Sequence, residues 1–596
     1  MKKVRNIAII LMVLLIGAGS LFAGGGSDSS SAAAGTVTPY NLPRNQTLYI
    51  NGIAWGAPSG YSPYVSNALG FCNDGHRQTC FETLMVYNLL DGKLYPQIAD
   101  SYSWNGQRLT VQLNRNVRFW DLGPGVPGSG SALTAADVVY SFELAKTYAI
   151  GGSGYWVYLD SVTAQGDYTV VFQAKANPFN MKQIEEAISQ YKITSKAYWE
   201  GKIASGDLGS GVAALGSFPG WDCIGTGPYI PTYSDDVKVV LTRYDRYWGQ
   251  HSSRYGKLPA PRYIAHNIYR DNAAGDEAFR RGEVDVSQQF IAQVQTFFPF
   301  GAETYVPQAP YYIPGVIPSI FFNTGRPGLN DPAVRRAIAM VLDYDMIGVN
   351  AMSGYTAPKQ AHMMLPAEVA QFIDEAALRP YQWTGRDIAG ANALLDQNGW
   401  VRGADGIRAK AGVRLNFRAE CPFGWSDWNA SLEVVAQSTR EIGINITTYF
   451  PEAGVWTTDY QTANFDIIMY SPGGMGIASP WSRAYAMMAS SYLPAAGVPN
   501  QVGNWGRYRN AEVDQIINQI AGETNEATLK QLWTRLNILY LQEMPAAGLM
   551  YRPALFHTVN ASVWTGFPKL GDGSNIPPTI CIDGYGIRAL YNLRLK

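Results

Sequence analysis

The chain has little charge of either sign. Of its 596 residues only 16% are Asp, Glu, Lys or Arg, and the formal net charge is −1. No field of one sign draws it to nucleic acid or to an anionic membrane surface. Its five histidines (76, 251, 266, 362 and 557) are scattered without ligand spacing. No C-x-x-C occurs, which argues against a zinc ribbon or a dithiol redox motif. G-x-S-x-G, H-E-x-x-H and the P-loop are missing as well, so no catalytic residue, metal site or cofactor is expected. Cysteine is limited to Cys72, Cys80, Cys223, Cys421 and Cys581. The odd count leaves one thiol unpaired or bridged to another molecule, and Cys72 with Cys80 is the candidate internal bridge.

Long apolar runs are absent apart from one at the start. Lys2, Lys3 and Arg5 precede IAIILMVLLIGAG and a small residue at Ala23, the layout of a secretory signal peptide. The run is shorter than the ~20 residues needed to cross a bilayer. Bacterial lipoproteins carry a cysteine shortly after such a run. Here Leu21-Phe22-Ala23-Gly24 is followed by Gly25, so an acyl anchor has no attachment point. Residues 24–44, rich in Gly, Ser and Ala, read as a flexible linker. The expected location is periplasmic, with the protein soluble after cleavage near Ala23.

What the chain has in abundance is aromatic surface, with 16 Trp and 37 Tyr. Strand and helix signals alternate along the chain. LTAADVVYSFELAK opens a helix at Thr134 with Asp137 in capping-box register. DPAVRRAIAMVLDYDMI opens another, with Asp331 as cap and Pro332 in the first turn. IGTGPYIPTYSDDVKVVLTRYDRYWG reads as a Gly/Pro turn feeding a hairpin. VRLNFRA alternates Val413, Leu415, Phe417 and Ala419 as a half-buried strand. It leads through ECPFGWSDW into a helix that Ser426 or Asp427 is placed to cap. The class is α/β.

These phrases resemble, in order, the extracellular solute-binding proteins of the oligopeptide-, dipeptide- and nickel-binding type, the receptors of ABC importers. The matching phrases are Asp91-Gly92, Pro96, Ala99, Trp104, Leu133–Phe142, Gly225–Tyr229, Tyr247-Trp248-Gly249, Gly282–Asp285, Phe321–Asp343, the helix 389–400, NFDI and YRNAEVDQII. Within that family, ECPFGWSDW, Tyr449-Phe450-Pro451, Gly476–Trp481 and Gly503–Tyr508 resemble the branch that binds cellobiose and β-gluco-oligosaccharides. The resemblance implies a two-lobed periplasmic-binding-protein fold with an extra subdomain inserted in the first lobe. On that reading residues 45–311 form lobe I with the insertion at about 80–220, residues 312–553 form lobe II, and residues 554–596 return to lobe I. It implies a monomer that hands a small ligand to permease subunits, and it leaves no stretch for a catalytic domain.

A sugar ring offers C–H groups on its flat faces and hydroxyls at its rim, which suits indoles and polar side chains respectively. Covering ~100 Å² of such a face is worth roughly 2.5 kcal/mol. The candidate ligand-binding residues are Trp55, Trp425, Asp427, Trp428, Trp481, Trp505 and Arg507. Trp425 lies off the apolar helical stripe and reads as a stacking platform. Trp428 shares that stripe with Leu432 and Val435 and has a core reading beside a ligand reading. Asp427 reads as cap or rim acceptor, and Arg507 as a hydroxyl clamp or the partner of a carboxylate. Trp55 ends the first strand segment in a Gly/Pro loop, while Trp481 and Trp505 lie in Gly-rich loops. Trp104, Trp120, Trp248, Trp400 and Trp533 are assigned to the core. Peptide-binding relatives hold the ligand ammonium with an aspartate in the loop that is here SPGGMGIASPW, which contains no acid. An oligosaccharide is therefore expected, with an oligopeptide as the alternative.

Overall fold

The computed structural model describes residues 37–65, 78–356, 361–383, 385–473, 476–494, 498–500, 502–553, 556–580 and 583–596. The signal-peptide reading, most of the linker, and Cys72 fall on residues outside these. Cys80 is described and is a buried free thiol, so the expected Cys72–Cys80 bridge is not formed. The chain divides into two units, Met1–Asn41 and Leu42–Lys596. Of the first, residues 37–41 are described and form a turn. No helix among the described residues is long and apolar enough to cross a membrane.

Two large sheets carry the architecture. The first runs in the order Ala302–Thr304, Thr558–Asn560, Val286–Ser287, Thr47–Asn51, Tyr263–Asn267, Lys238–Arg243, Tyr229–Ser234. Thr47–Asn51 lies parallel to both of its neighbours, and Leu48 and Ile50 are fully buried, as expected of a strand in the middle of a parallel core. The second sheet runs Asn445–Tyr449, Asn416–Glu420, Ile467–Tyr470, Ser319–Phe322, Ala546–Gly548, with Asn416–Glu420 parallel to both neighbours. The chain passes between the sheets twice, after Thr304 and after Gly548. A separate antiparallel sheet, Ala99–Asn105, Arg108–Leu113, Thr169–Ala174 and Leu159–Ala164, is formed within the first pass.

Local signals act where the sequence places them. Ala135–Tyr148 starts on a capping box in which the Thr134 amide donates to the Asp137 carboxylate at 2.8 Å. Pro332–Val341 starts with the Ala333 amide donating to Asp331. VRLNFRA is split between two sheets. Val413–Arg414 joins a small three-stranded sheet, and Asn416–Glu420 enters the second large one. Leu415, Phe417 and Ala419 are nevertheless buried on one face, as their alternation requires.

Burial also sets a pH dependence. Glu82 is fully buried, and desolvation pushes it up to about 7 against hydrogen bonds from Tyr247, Trp248 and Gln97 that pull it down. The native form therefore holds a proton that the unfolded chain releases near the ordinary value of 4.5. This contribution is fully present below 4.5 and is lost as pH rises through about 7. Glu82→Gln should gain stability relative to wild type as pH rises across that window. Paired thermal melts at several pH values check it, and a variant that loses ground with rising pH contradicts it.

Candidate ligand-binding site

Parallel strands open their carboxyl ends onto a crevice, and four such ends meet here. Asn51 leads into Gly52 and on to Trp55. Ser287 leads into Gln288, Gln289 and Phe290, Glu420 into the corner that carries Trp425, and Tyr470 into Ser471 and Gly473. Together with Asn272, Val316, Asp427, Trp428, Trp456, Tyr460 and Arg552 they line one cavity of about 490 Å³. Gly52 makes the first turn possible. Its φ is +84°, and a Cβ there would lie 2.5 Å from the Gln289 amide nitrogen. At the opposing corner Gly424, with φ +80°, lets the chain pass close to Asp271.

The cavity wall is a run of rings. Trp55, from the first sheet, faces Trp425, from the second, at 6.4 Å between centroids. Trp425 meets Trp428 edge-on at 5.0 Å and Trp456 at 5.8 Å. Trp456 stacks on Tyr470 at 5.5 Å with only 17° between planes, and its indole donates to the Met469 carbonyl, which fixes the ring. Trp55 and Trp425 are half-buried, whereas Trp428 is 5% exposed. Trp428 lies on the buried stripe of Ser426–Arg440 with Leu432 and Val435, and it also lines the cavity.

The polar residues among these rings are largely engaged with one another. The Arg552 Nε donates to Asp427 Oδ2 at 2.6 Å, and the Asp427 side chain is 2% exposed. The corner helix has Trp425 at its N-cap without a side-chain cap bond. The capping expectation is thus corrected at both residues, because Asp427 is held by Arg552 and the Ser426 hydroxyl accepts from Asn272 Nδ2 at 3.0 Å. Gln289 accepts from Asn51 and donates to the Asn272 carbonyl and to Asp276, whose carboxyl burial pushes up to about 7.

Of the seven residues expected from sequence, Trp55, Trp425, Asp427 and Trp428 come together on this wall. The other three lie elsewhere. Trp505 sits behind it, 4.5 Å from Tyr460 and 5.1 Å from Tyr470. Arg507 does not line the cavity, pairs with no carboxylate among the described residues, and donates instead to the carbonyls of Gln461 and Val498. Trp481 opens the helix Trp481–Met488 rather than lying in a loop, donates to the Ile517 carbonyl, and borders a different cavity. Sequence reasoning did not place Trp456, Tyr460, Tyr470, Gln288, Gln289 and Arg552 on the wall. A signal existed for three of them, since Tyr470 ends NFDIIMY and the two glutamines follow GEVDVS at a strand end.

The second cavity is larger, about 890 Å³, and runs between Phe179–Lys182, Ile313–Gly315 and helices of the second sheet's half of the chain. Its wall mixes aliphatic residues with the rings of Trp481 and Trp533 and the charged Lys182, Glu368, Glu523 and Glu526, and among the described residues it has no convergence of parallel strand ends from both sheets. The smaller cavity is therefore the candidate site.

Two sheet-centred lobes joined by two crossings, with a crevice at their strand ends and a small antiparallel sheet inserted in the first, define the two-lobed periplasmic-binding-protein fold. The chain belongs to the bacterial extracellular solute-binding proteins, family 5, whose middle-region model matches residues 93–493. That family consists of binding proteins. Protein XP55 of Streptomyces lividans is 25% identical over 467 residues, which cover 76% of this chain and 75% of that protein. Oligopeptide-binding protein OppA of Lactococcus lactis subsp. cremoris is 22% identical, covering 70% of this chain and 69% of that one. Among solved structures, a mannohexaose-bound periplasmic oligopeptide-binding protein of an ABC transporter from Thermotoga maritima superimposes with TM-score 0.83 at 24% identity, covering 93% of this chain and 99% of that one. AppA of Bacillus subtilis in complex with a nonapeptide gives TM-score 0.71 at 18% identity, covering 92% and 99%. At such identities the solved structures establish the fold alone.

Proposed function

We propose that this protein is the receptor of an ABC importer that closes two lobes over a neutral oligosaccharide, β-linked and glucose-based, and presents it to membrane permease subunits. One observation carries the reading: indoles contributed by both sheets, Trp55 and Trp425, meet on the wall of one cavity whose two charged side chains, Asp427 and Arg552, neutralise each other. Two or three stacked rings at roughly 2.5 kcal/mol each approach the ~8 kcal/mol of a micromolar complex before binding entropy is deducted. A ligand touching both lobes favours the closed form by its differential contacts. In this reading lobe I spans 45–311 with its insertion at about 80–220, lobe II spans 312–553, and 554–596 returns to lobe I.

The oligopeptide reading is favoured by the names of OppA and AppA. Against it stands the acid-free segment 471–481, because a desolvated peptide ammonium needs an anionic partner and Asp427 is already paired. Tryptophan emission tests the two. Cello-oligosaccharides should quench or shift it with saturation and di- to pentapeptides should not, and the reverse pattern puts the peptide first.

A further inference from the structure

The polar side chains on the cavity wall fall into two sets. Gln289, Asp427 and Arg552 are engaged by protein partners, and Asn272 donates to Ser426. In the second set, Trp428 Nε1, Gln288 Oε1 and Ser471 Oγ are buried without a protein partner among the described residues. Trp428 is 5% exposed and Gln288 2%. The Gln288 amide is oriented by its own bond, Nε2 donating to the Thr579 carbonyl at 3.3 Å. Turning it over would set two carbonyl oxygens against each other, so Oε1 is the atom left over. A buried donor or acceptor without a partner is costly, and native sites that keep one do so for a reason.

We propose that Trp428 Nε1–H, Gln288 Oε1 and Ser471 Oγ are the specificity-determining groups of this cleft, each meeting a hydroxyl of the bound saccharide. The inference rests on the saccharide reading above and adds which atoms choose the ligand. The trio is uncharged and contains one donor, one acceptor and one hydroxyl able to do either. A sugar hydroxyl both donates and accepts, so it fits each position. An ammonium has no lone pair for Trp428, and a carboxylate has no proton for Gln288. The set therefore disfavours an ammonium opposite Trp428 and a carboxylate opposite Gln288. Gln288 follows a strand of the first sheet, whereas Trp428 and Ser471 follow strands of the second. Both halves are satisfied together only by a ligand that spans the cleft.

Trp428→Phe keeps a flat ring and removes the N–H. Wild type and variant are titrated calorimetrically with cellobiose and with each of its monodeoxy derivatives. The variant should bind cellobiose about five- to tenfold more weakly. One monodeoxy derivative should lose about the same factor on wild type yet lose nothing further on the variant, a coupling that general destabilisation does not produce. If the variant binds cellobiose and every derivative as wild type does, the inference falls while the saccharide reading stands. Should the variant fold poorly, the wild-type series still decides, since hydroxyl deletions that each cost less than about twofold overturn the proposal. Wild-type silence toward cellobiose, cellohexaose and mannohexaose overturns both.

Discussion

Trp425→Ala weakens saccharide binding by roughly 30- to 150-fold and lowers the melting temperature of the free protein far less than Trp428→Ala does. The factor follows from removing a half-buried indole that covers one sugar face, roughly 2–3 kcal/mol of apolar contact. The stability side follows from position. Trp425 is at the N-cap of Ser426–Arg440 and turns toward Trp55 across the cleft, whereas its neighbour Trp428 is packed into the core. Titration calorimetry and a thermal melt on the same preparation separate the effects. An early melt with unchanged affinity would make Trp425 a packing residue and remove the aromatic platform from the account.

The second large effect is on folding. Arg552→Ala strands the Asp427 carboxylate, whose side chain is 2% exposed and whose cationic partner is the lost Nε. Breaking such a pair from one side costs about 3–5 kcal/mol, because a charge stays buried without compensation. Asp427→Ala should cost less. The guanidinium it leaves behind is 17% exposed, donates to the Pro553 carbonyl and lies 4.5 Å above the Phe556 ring. Denaturant unfolding of both single variants checks the order, and equal costs would mean that the pair is solvated in solution.

The sequence made some of this legible and hid the rest for identifiable reasons. Signals that act within a few residues worked: the Thr134–Asp137 box, the Asp331–Pro332 start, the alternation of Leu415, Phe417 and Ala419. Trp55 and Trp425 were found because each follows a strand signal at a Gly-containing turn, where a large ring has little local reason to be. Trp456 and Tyr460 share a helix face and carry the same spacing as core residues, and a ring that lines a cavity keeps that spacing. Arg552 is 125 positions from Asp427, a pairing that only the fold creates. Trp481, Trp505 and Arg507 looked like loop residues of a binding site. The positions of Trp505 and Arg507 are set by long-range packing against Tyr460, Tyr470 and the carbonyls of Gln461 and Val498. The cap at Ser426–Asp427 failed for a related reason. Their side chains had stronger tertiary partners in Asn272 and Arg552 than the helix's own amides.

The central claim is that the cleft recognises a neutral saccharide by stacking on indoles contributed by two lobes. Isothermal titration of the purified protein with cellohexaose, mannohexaose and a nonapeptide, under one buffer condition, tests it most directly. The account predicts one-site binding at about micromolar affinity or tighter for a hexasaccharide, abolished or severely weakened by Trp425→Ala, with no saturable signal from the peptide. Saturable peptide binding together with silence from both hexasaccharides would contradict it.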